Sequence, residues 1–291
     1  MMKLAFIFLR LLSYLPHSSL RVLARFFGWL CYALVVPRRQ IGKKNLQLCF
    51  PHLSDDERRA ILREHFYHMA LLILEYGRYW YGDANTLRQA VRYQDKHFLD
   101  DALAANQKVI LLYPHFTAFE AAVYALNQDV PLISVYSHQK NAELDAQILR
   151  GRHRYDNVFL IGRTEGLRAI IKQIRQSAAP FLYLPDQDFG VKDSIFVDFM
   201  GVQTATITGL SRIAKMTDAK VIPAIPTRQS DGTVQLRFYP AWDDFPSADP
   251  VADTQRMNDF IAARVLEQPA QYFWLHKRFK TRPNGESSFY E

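Results

Sequence analysis

Cysteine is scarce. The 291 residues include two, Cys31 and Cys49, and two thiols build neither a disulfide framework nor a closed metal site. The chain is therefore expected in a reducing compartment. Also missing is any unbroken apolar run of the roughly 20 residues that a spanning helix needs. Residues 4–15 are apolar but interrupted by Arg10, and residues 26–36 are preceded by Arg21 and Arg25 and followed by Pro37, Arg38 and Arg39. No small-residue cleavage site follows either run, which argues against a removable signal peptide. An RNA-recognition signature, zinc-finger spacing and an isolated basic tail are all absent, so nucleic acid is not an expected partner. There is no internal repeat and no low-complexity stretch.

What the chain does have is apolar and basic. Hydrophobic residues make up 49% and charged residues 22%, enough to build a sizeable α/β core. The 20 Phe and 15 Tyr suit a protein that handles apolar chains or lies against lipid, and equally a large ordinary core. The net charge of +7 points to an anionic membrane face or an acidic protein partner. The N-terminal runs favour an amphipathic anchor lying in a membrane interface. A short single span comes second, with the basic cluster from Arg38 to Lys44 on the cytoplasmic side, and a plain core helix third. The expected organisation is a membrane-associated segment over 1–40 and a catalytic domain over 41–291, with a helical lead-in over 41–90 and an α/β core over 91–291.

Ser54-Asp55-Asp56-Glu57 reads as a capping box opening a helix that runs to about residue 81. From about residue 92, strands alternate with helices of about ten residues, which implies crossover units. Strands are expected at 109–113, 132–136, 158–161, 181–184, 195–199, 221–225 and 234–239. Helices are expected at 117–126, 142–150, 164–176, 208–216 and 254–266. The fold class is thus α/β, a mostly parallel central sheet flanked by helices, with its site at the carboxyl ends of the strands.

The most informative segment runs from Val109 to Glu120. A buried strand meets Pro114, His115 follows, and a helix starts near Phe116 or Thr117. Five steps along one regular helix would turn Glu120 about 140° away from His115. The two are expected to meet because His115 lies in the turn and Glu120 in the first turns of the helix. His115 can then take the proton of a hydroxyl as it attacks an acyl carbonyl, with Glu120 orienting the imidazole. No serine or cysteine is required, because the acceptor is the nucleophile. H-x4-E alone is a weak signal; the strand–turn–helix setting strengthens it.

Five blocks in order carry a family resemblance: His115-Phe116-Thr117-Ala118-Phe119-Glu120; the segments Gly151-Arg152-His153-Arg154 and Gly162-Arg163; Pro185-Asp186-Gln187-Asp188-Phe189-Gly190; Val221-Ile222-Pro223-Ala224-Ile225-Pro226; and the run from Trp274 to Pro283. Over nearly its whole length the chain resembles the late acyltransferases of lipid A biosynthesis, relatives of the glycerolipid acyltransferases with an H-x4-D/E motif. The resemblance implies an enzyme at the cytoplasmic face of the inner membrane. Its donor would be acyl carrier protein, an acidic partner for a basic chain, carrying a lauroyl or myristoyl chain. Its acceptor would be a hydroxyacyl group of a lipid A precursor, and its product an acyloxyacyl ester. No metal and no cofactor beyond the acyl-carrier co-substrate is expected. Rival readings are a glycerophosphate or lysophospholipid acyltransferase and a non-catalytic lipid-binding protein of the same fold.

Within this reading Arg152, Arg154 and Arg163 would hold phosphates or carboxylates of the acceptor; otherwise they are solvated arginines. Asp186 and Asp188 would pair with those arginines or shape the acceptor pocket, unless Asp188 merely makes an Asx-turn toward Gly190. The basic run from His276 to Arg282 either contacts a ligand or is a solvated face. His138, His153 and His276 have no evident acid partner.

Overall fold

Four long helices open the chain in the computed structural model, which describes residues 2–192 and 194–291. They are α1 (Met2–Leu12), α2 (His17–Leu34), α3 (Val36–Cys49) and α4 (Asp55–Tyr81). The capping box forms: the Ser54 hydroxyl accepts from Glu57 N–H, and the Glu57 carboxylate accepts from Ser54 N–H at 2.7 Å. With 27 residues, α4 is about 40 Å long and acts as the spine. Leu12, Leu20 and Ala24 pack on its Tyr67, Ala70, Leu71 and Leu74. The approach is close enough to require glycine: a Cβ at Gly28 would lie 2.7 Å from the Tyr67 Cα.

The opposite faces of α1 and α2 are bare. Leu4, Ile7, Phe8 and Leu11 form one exposed stripe, and Val22, Phe26 and Trp29 another; both follow the i, i+3/i+4, i+7 spacing of one helical face. Among the described residues no single helix is long and apolar enough to cross a membrane, and α2 with α3 reaches that length only as a pair bent by 91°.

The remaining elements are α5 (Ala84–Gln89), β1 (Val91–Gln94), α6 (His97–Ala104), β2 (Val109–Leu112), α7 (Phe119–Asp129), β3 (Leu132–Tyr136), α8 (Ala142–Arg152), β4 (Val158–Gly162), α9 (Gly166–Gln176), β5 (Phe181–Tyr183), β6 (Ser194–Phe199), β7 (Val202–Ile207), α10 (Gly209–Thr217), β8 (Lys220–Arg228), β9 (Val234–Phe238) and α11 (Pro250–Glu267). Among the described residues seven strands form one sheet in the order β1-β9-β8-β2-β5-β3-β4. All neighbours pair parallel except β8 and β9. Alternate residues of β2 feed two cores: Ile110 and Leu112 join Phe181, Tyr183 and Ile225 on one face, and Val109 and Leu111 join Leu182, Ile222 and Leu236 on the other.

The expected strand at 195–199 forms outside this sheet. It is β6, paired antiparallel with β7, and Asp198 ties the hairpin to Gln255 and Asn258 of α11. Its turn places Met200 and Gly201 at φ 55° and 84°, the left-handed conformation of a tight hairpin turn. β1 and β7 were not anticipated.

Candidate active site

β2 lies near the middle of the sheet, between β8 and β5, and its four residues are fully buried. Two similar strand ends stand side by side: Leu112-Tyr113-Pro114-His115 and Tyr183-Leu184-Pro185-Asp186. The last paired rung is Leu112 with Tyr183. Each chain passes a proline, which cannot extend the ladder, and each presents its polar residue three positions past that rung. Equal offsets on parallel strands bring the two side chains together.

Asp186 uses both oxygens on one residue. Oδ2 accepts from the His115 backbone N–H at 2.8 Å, and Oδ1 lies 2.7 Å from His115 Nδ1. Burial pushes the Asp186 carboxyl up, but the charge and two hydrogen bonds of His115, with the Arg278 guanidinium, outweigh it and hold the group below its ordinary value. An ionised carboxylate only accepts, so His115 donates from Nδ1 and keeps its lone pair on Nε2. Nε2 lies 3.3 Å from Gln187 Nε2. The ring sits between Phe119 and Phe273, at 6.0 and 6.3 Å between centroids. The His115 side chain is 19% exposed and Asp186 only 1%. A reachable imidazole backed by a buried carboxylate can act as a general base.

The loop that carries His115 is clamped by the C-terminal segment. His115 C=O accepts from Phe273 N–H at 3.0 Å, and Thr117 N–H donates to Gln271 C=O at 2.8 Å. The segment is itself anchored: Trp274 and Phe279 are buried, and Asn45 of α3 donates to the carbonyls of Trp274 and His276. Arg278 is buried and donates to Ala205 C=O and the Thr206 hydroxyl. Much of the basic run from His276 to Arg282 is therefore internal scaffolding rather than a solvated face.

The partner assigned to Glu120 is corrected. Its carboxylate is 1% exposed and pairs with Arg152, while Oε1 also accepts from the Tyr76 hydroxyl at 2.9 Å. It thus joins the first turn of α7 to α8 and α4, while the acid that bonds His115 is Asp186. The reason lies in geometry: Glu120 sits on the second residue of α7, and His115 is turned toward β5 by its own backbone bond to Asp186. Arg152 therefore holds an internal carboxylate. Burial lowers the Arg152 pKa, but the charges of Glu120, Tyr124 and Tyr76 outweigh that and raise it.

Arg154 is tied to backbone. Its guanidinium donates to the carbonyls of Tyr79, at 2.7 Å, and Gly82. These are groups at the C-terminus of α4 that lack helical partners. Arg163 is exposed, with its guanidinium over the Phe189 ring at 4.8 Å, and remains open to a ligand. Asp188 pairs with none of these arginines. It accepts from Gly190 N–H, making the Asx-turn, and from the Thr281 N–H and hydroxyl, each at 2.8 Å, while its own N–H donates to His276 Nε2 at 3.1 Å. His138 does have an acid partner, Asp145 at 2.9 Å on the surface. Among the described residues no three His, Cys, Asp or Glu side chains converge as metal ligands do.

Sequence reasoning named Asp186 as a site residue but missed its bond to His115; the repeated strand–Pro–polar pattern was the available signal. Gln187, Phe273 and Tyr76 were missed as neighbours, and nothing in their spacing marks them.

Comparison with known proteins agrees with the resemblance carried by the sequence blocks. Residues 1–281 match the bacterial lipid A biosynthesis acyltransferase family. A lipid A biosynthesis acyltransferase of Haemophilus influenzae is 34% identical over 94% of this chain and 88% of its own length. The lipid A biosynthesis lauroyltransferase of Escherichia coli is 31% identical over 95% and 90% respectively, and the myristoyltransferase of the same organism 32% over 85% and 76%. A whole-chain family match, with relatives above 30% identity across most of their lengths, makes this chain an acyltransferase that belongs to the bacterial lipid A biosynthesis acyltransferase family.

Proposed function

We propose that this enzyme transfers a lauroyl or myristoyl chain from the thioester of acyl carrier protein to a hydroxyacyl group of a lipid A precursor, with His115 as general base and Asp186 as its orienting acid. His115 Nε2 takes the hydroxyl proton as the oxygen attacks the thioester carbonyl. The tetrahedral intermediate collapses, the C–S bond breaks, and the imidazolium returns the proton to the departing thiolate. An acyloxyacyl ester and free carrier thiol result, and Asp186 stabilises the imidazolium in between. Glu120 acts through Arg152 and Tyr76 by fixing the start of α7, and Arg163 is the arginine left free to meet the acceptor's anionic groups. The bare faces of α1 and α2 support an interfacial anchor at the cytoplasmic side of the inner membrane, where the acceptor lipid is reached from the side. The positive chain gives an acidic carrier protein a favourable encounter.

The single observation that carries the reading is the His115–Asp186 contact, with the imidazole partly exposed. The test is transfer of a labelled acyl chain from acyl carrier protein to a lipid A precursor and, separately, to glycerol 3-phosphate. The wild-type chain should acylate only the former, and His115→Ala should lose transfer while remaining folded. Near-normal turnover by His115→Ala sinks the mechanism, and a preference for glycerol 3-phosphate sinks the acceptor assignment.

A further inference from the structure

Between α2, α4 and the turn joining β8 to β9 lies a pocket of about 400 Å³. Arg21 and Arg25 of α2 line one side, one helical turn apart. Arg228 and His68, each more than nine-tenths buried, line it from within. The two terminal nitrogens of Arg228 are held by Glu75, but its Nε has no partner, and neither has His68 Nδ1. Both residues line the pocket, which has room for a bound group.

The charge around the pocket gives the sign of that group. Arg228 is neutralised by Glu75, so the charge is set by the guanidiniums of Arg21 and Arg25 against one carboxylate, Glu64. Among the described residues no carboxylate pairs with Arg21 or Arg25: Arg21 donates to Ser230 C=O at 3.0 Å, and Arg25 stacks over Tyr67 at 4.9 Å. Burial first, then Arg228 and His65, pushes His68 down to about 3 against the opposing pull of Glu75, so it adds no charge but offers a ring nitrogen. Beside the arginines on α2 stand Val22, Phe26 and Trp29, all exposed. Gln271 also lines the pocket, and its carbonyl holds Thr117 in the His115 loop.

We propose that this pocket binds the phosphate of an anionic lipid whose acyl chains lie along the exposed face of α2. Forked guanidiniums suit a phosphate, and the adjoining apolar stripe suits the chains attached to it. The phosphate can come from a bilayer phospholipid or from the acceptor itself. The proposal rests on the reading of this chain as an enzyme that works on lipid beside α2, but not on His115.

The experiment measures calorimetric binding of monomeric dihexanoyl phosphatidylglycerol to the full chain, and KM for the lipid A precursor in neutral detergent. The chains compared are wild type, Arg21→Gln/Arg25→Gln, the charge-matched control Lys3→Gln/Arg10→Gln, and His115→Ala. Wild type, the control and His115→Ala should bind saturably at one site, with dihexanoyl phosphatidylcholine inert, and the pocket variant should bind at least tenfold more weakly. An unchanged acceptor KM in that variant then assigns the pocket to bilayer phospholipid. A KM raised about tenfold at constant kcat assigns it to the acceptor. The proposal is overturned if wild type shows no saturable binding and the acceptor KM is unmoved, or if the two double variants lose binding equally. Loss of turnover in His115→Ala with binding kept separates the two readings.

Discussion

Replacing Asp186 by asparagine changes one atom and removes two functions. Both carboxylate oxygens accept hydrogen bonds from His115, one from the backbone and one from Nδ1; an amide has one acceptor and one donor. If the amide oxygen keeps the backbone N–H, its NH2 faces Nδ1, and the ring must carry its proton on Nε2, where it is no base. If the oxygen keeps Nδ1–H, the NH2 opposes the backbone N–H and the imidazolium loses its counter-charge. Either arrangement should lower kcat by about three to four decades, as the wrong tautomer does in hydrolytic triads, or about 4–5.5 kcal/mol of barrier. The assay is single-turnover acyl transfer with both substrates saturating, with KM and thermal unfolding measured in parallel. KM should move little, because Asp186 is buried behind the ring. If Asp186→Asn keeps kcat within about tenfold of wild type while Glu120→Gln abolishes it, the orienting role belongs to Glu120 and the reasoning here fails.

Glu120→Gln should instead show itself as instability. Leaving the Arg152 guanidinium without its charge partner costs about 3 kcal/mol, read as a lower urea midpoint, with kcat within about tenfold once the protein is folded. Arg154→Gln should cost about 1–2 kcal/mol through the unsatisfied carbonyls at the end of α4 and leave the acceptor KM unchanged; a raised KM would return it to the binding site. Acid should unfold the protein in two stages. Burial depresses His65 and His68 from 6.5 to about 4 and about 3, so the stability they lend is complete above pH 6.5 and drains as the unfolded chain takes up protons below it. Glu75 is pushed up by burial, yet Arg228 and His17 bring it from 4.5 to about 2, and its share, about 3 kcal/mol, is lost between those values. Urea midpoints from pH 8 to pH 3 should fall along that path, and a flat profile through pH 6 to 4.5 would contradict it.

The parts of the fold that could be read in advance were those with strong local signals. The capping box at Ser54, the apolar period of α4 and the buried runs that became β2, β3, β5 and β8 each carry their own signature. β1 was hidden because Val91-Arg92-Tyr93-Gln94 is four residues long with one buried side chain, and it becomes a strand only through its pairing with β9. β6 looked like a sheet strand because period-two patterning does not say which neighbour a strand will find. The site divides in the same way. His115 stood out by its turn, but its acid partner is fixed by the β2–β5 register, which no spacing within one segment encodes. The arginines were the hardest: identical guanidiniums serve Glu120, the end of α4 and open solvent at positions 152, 154 and 163, and only tertiary contacts tell them apart.

His115 and Asp186 meet across a sequence separation of 71 residues, with β3, α8, β4 and α9 folded in between. The pair therefore cannot form until Asp186 has been made. During synthesis the apolar faces of α1 and α2 leave the ribosome long before β5 can dock against β2. The contact thus forms only once β5 has joined β2, and β8, the other neighbour of β2, is made later still.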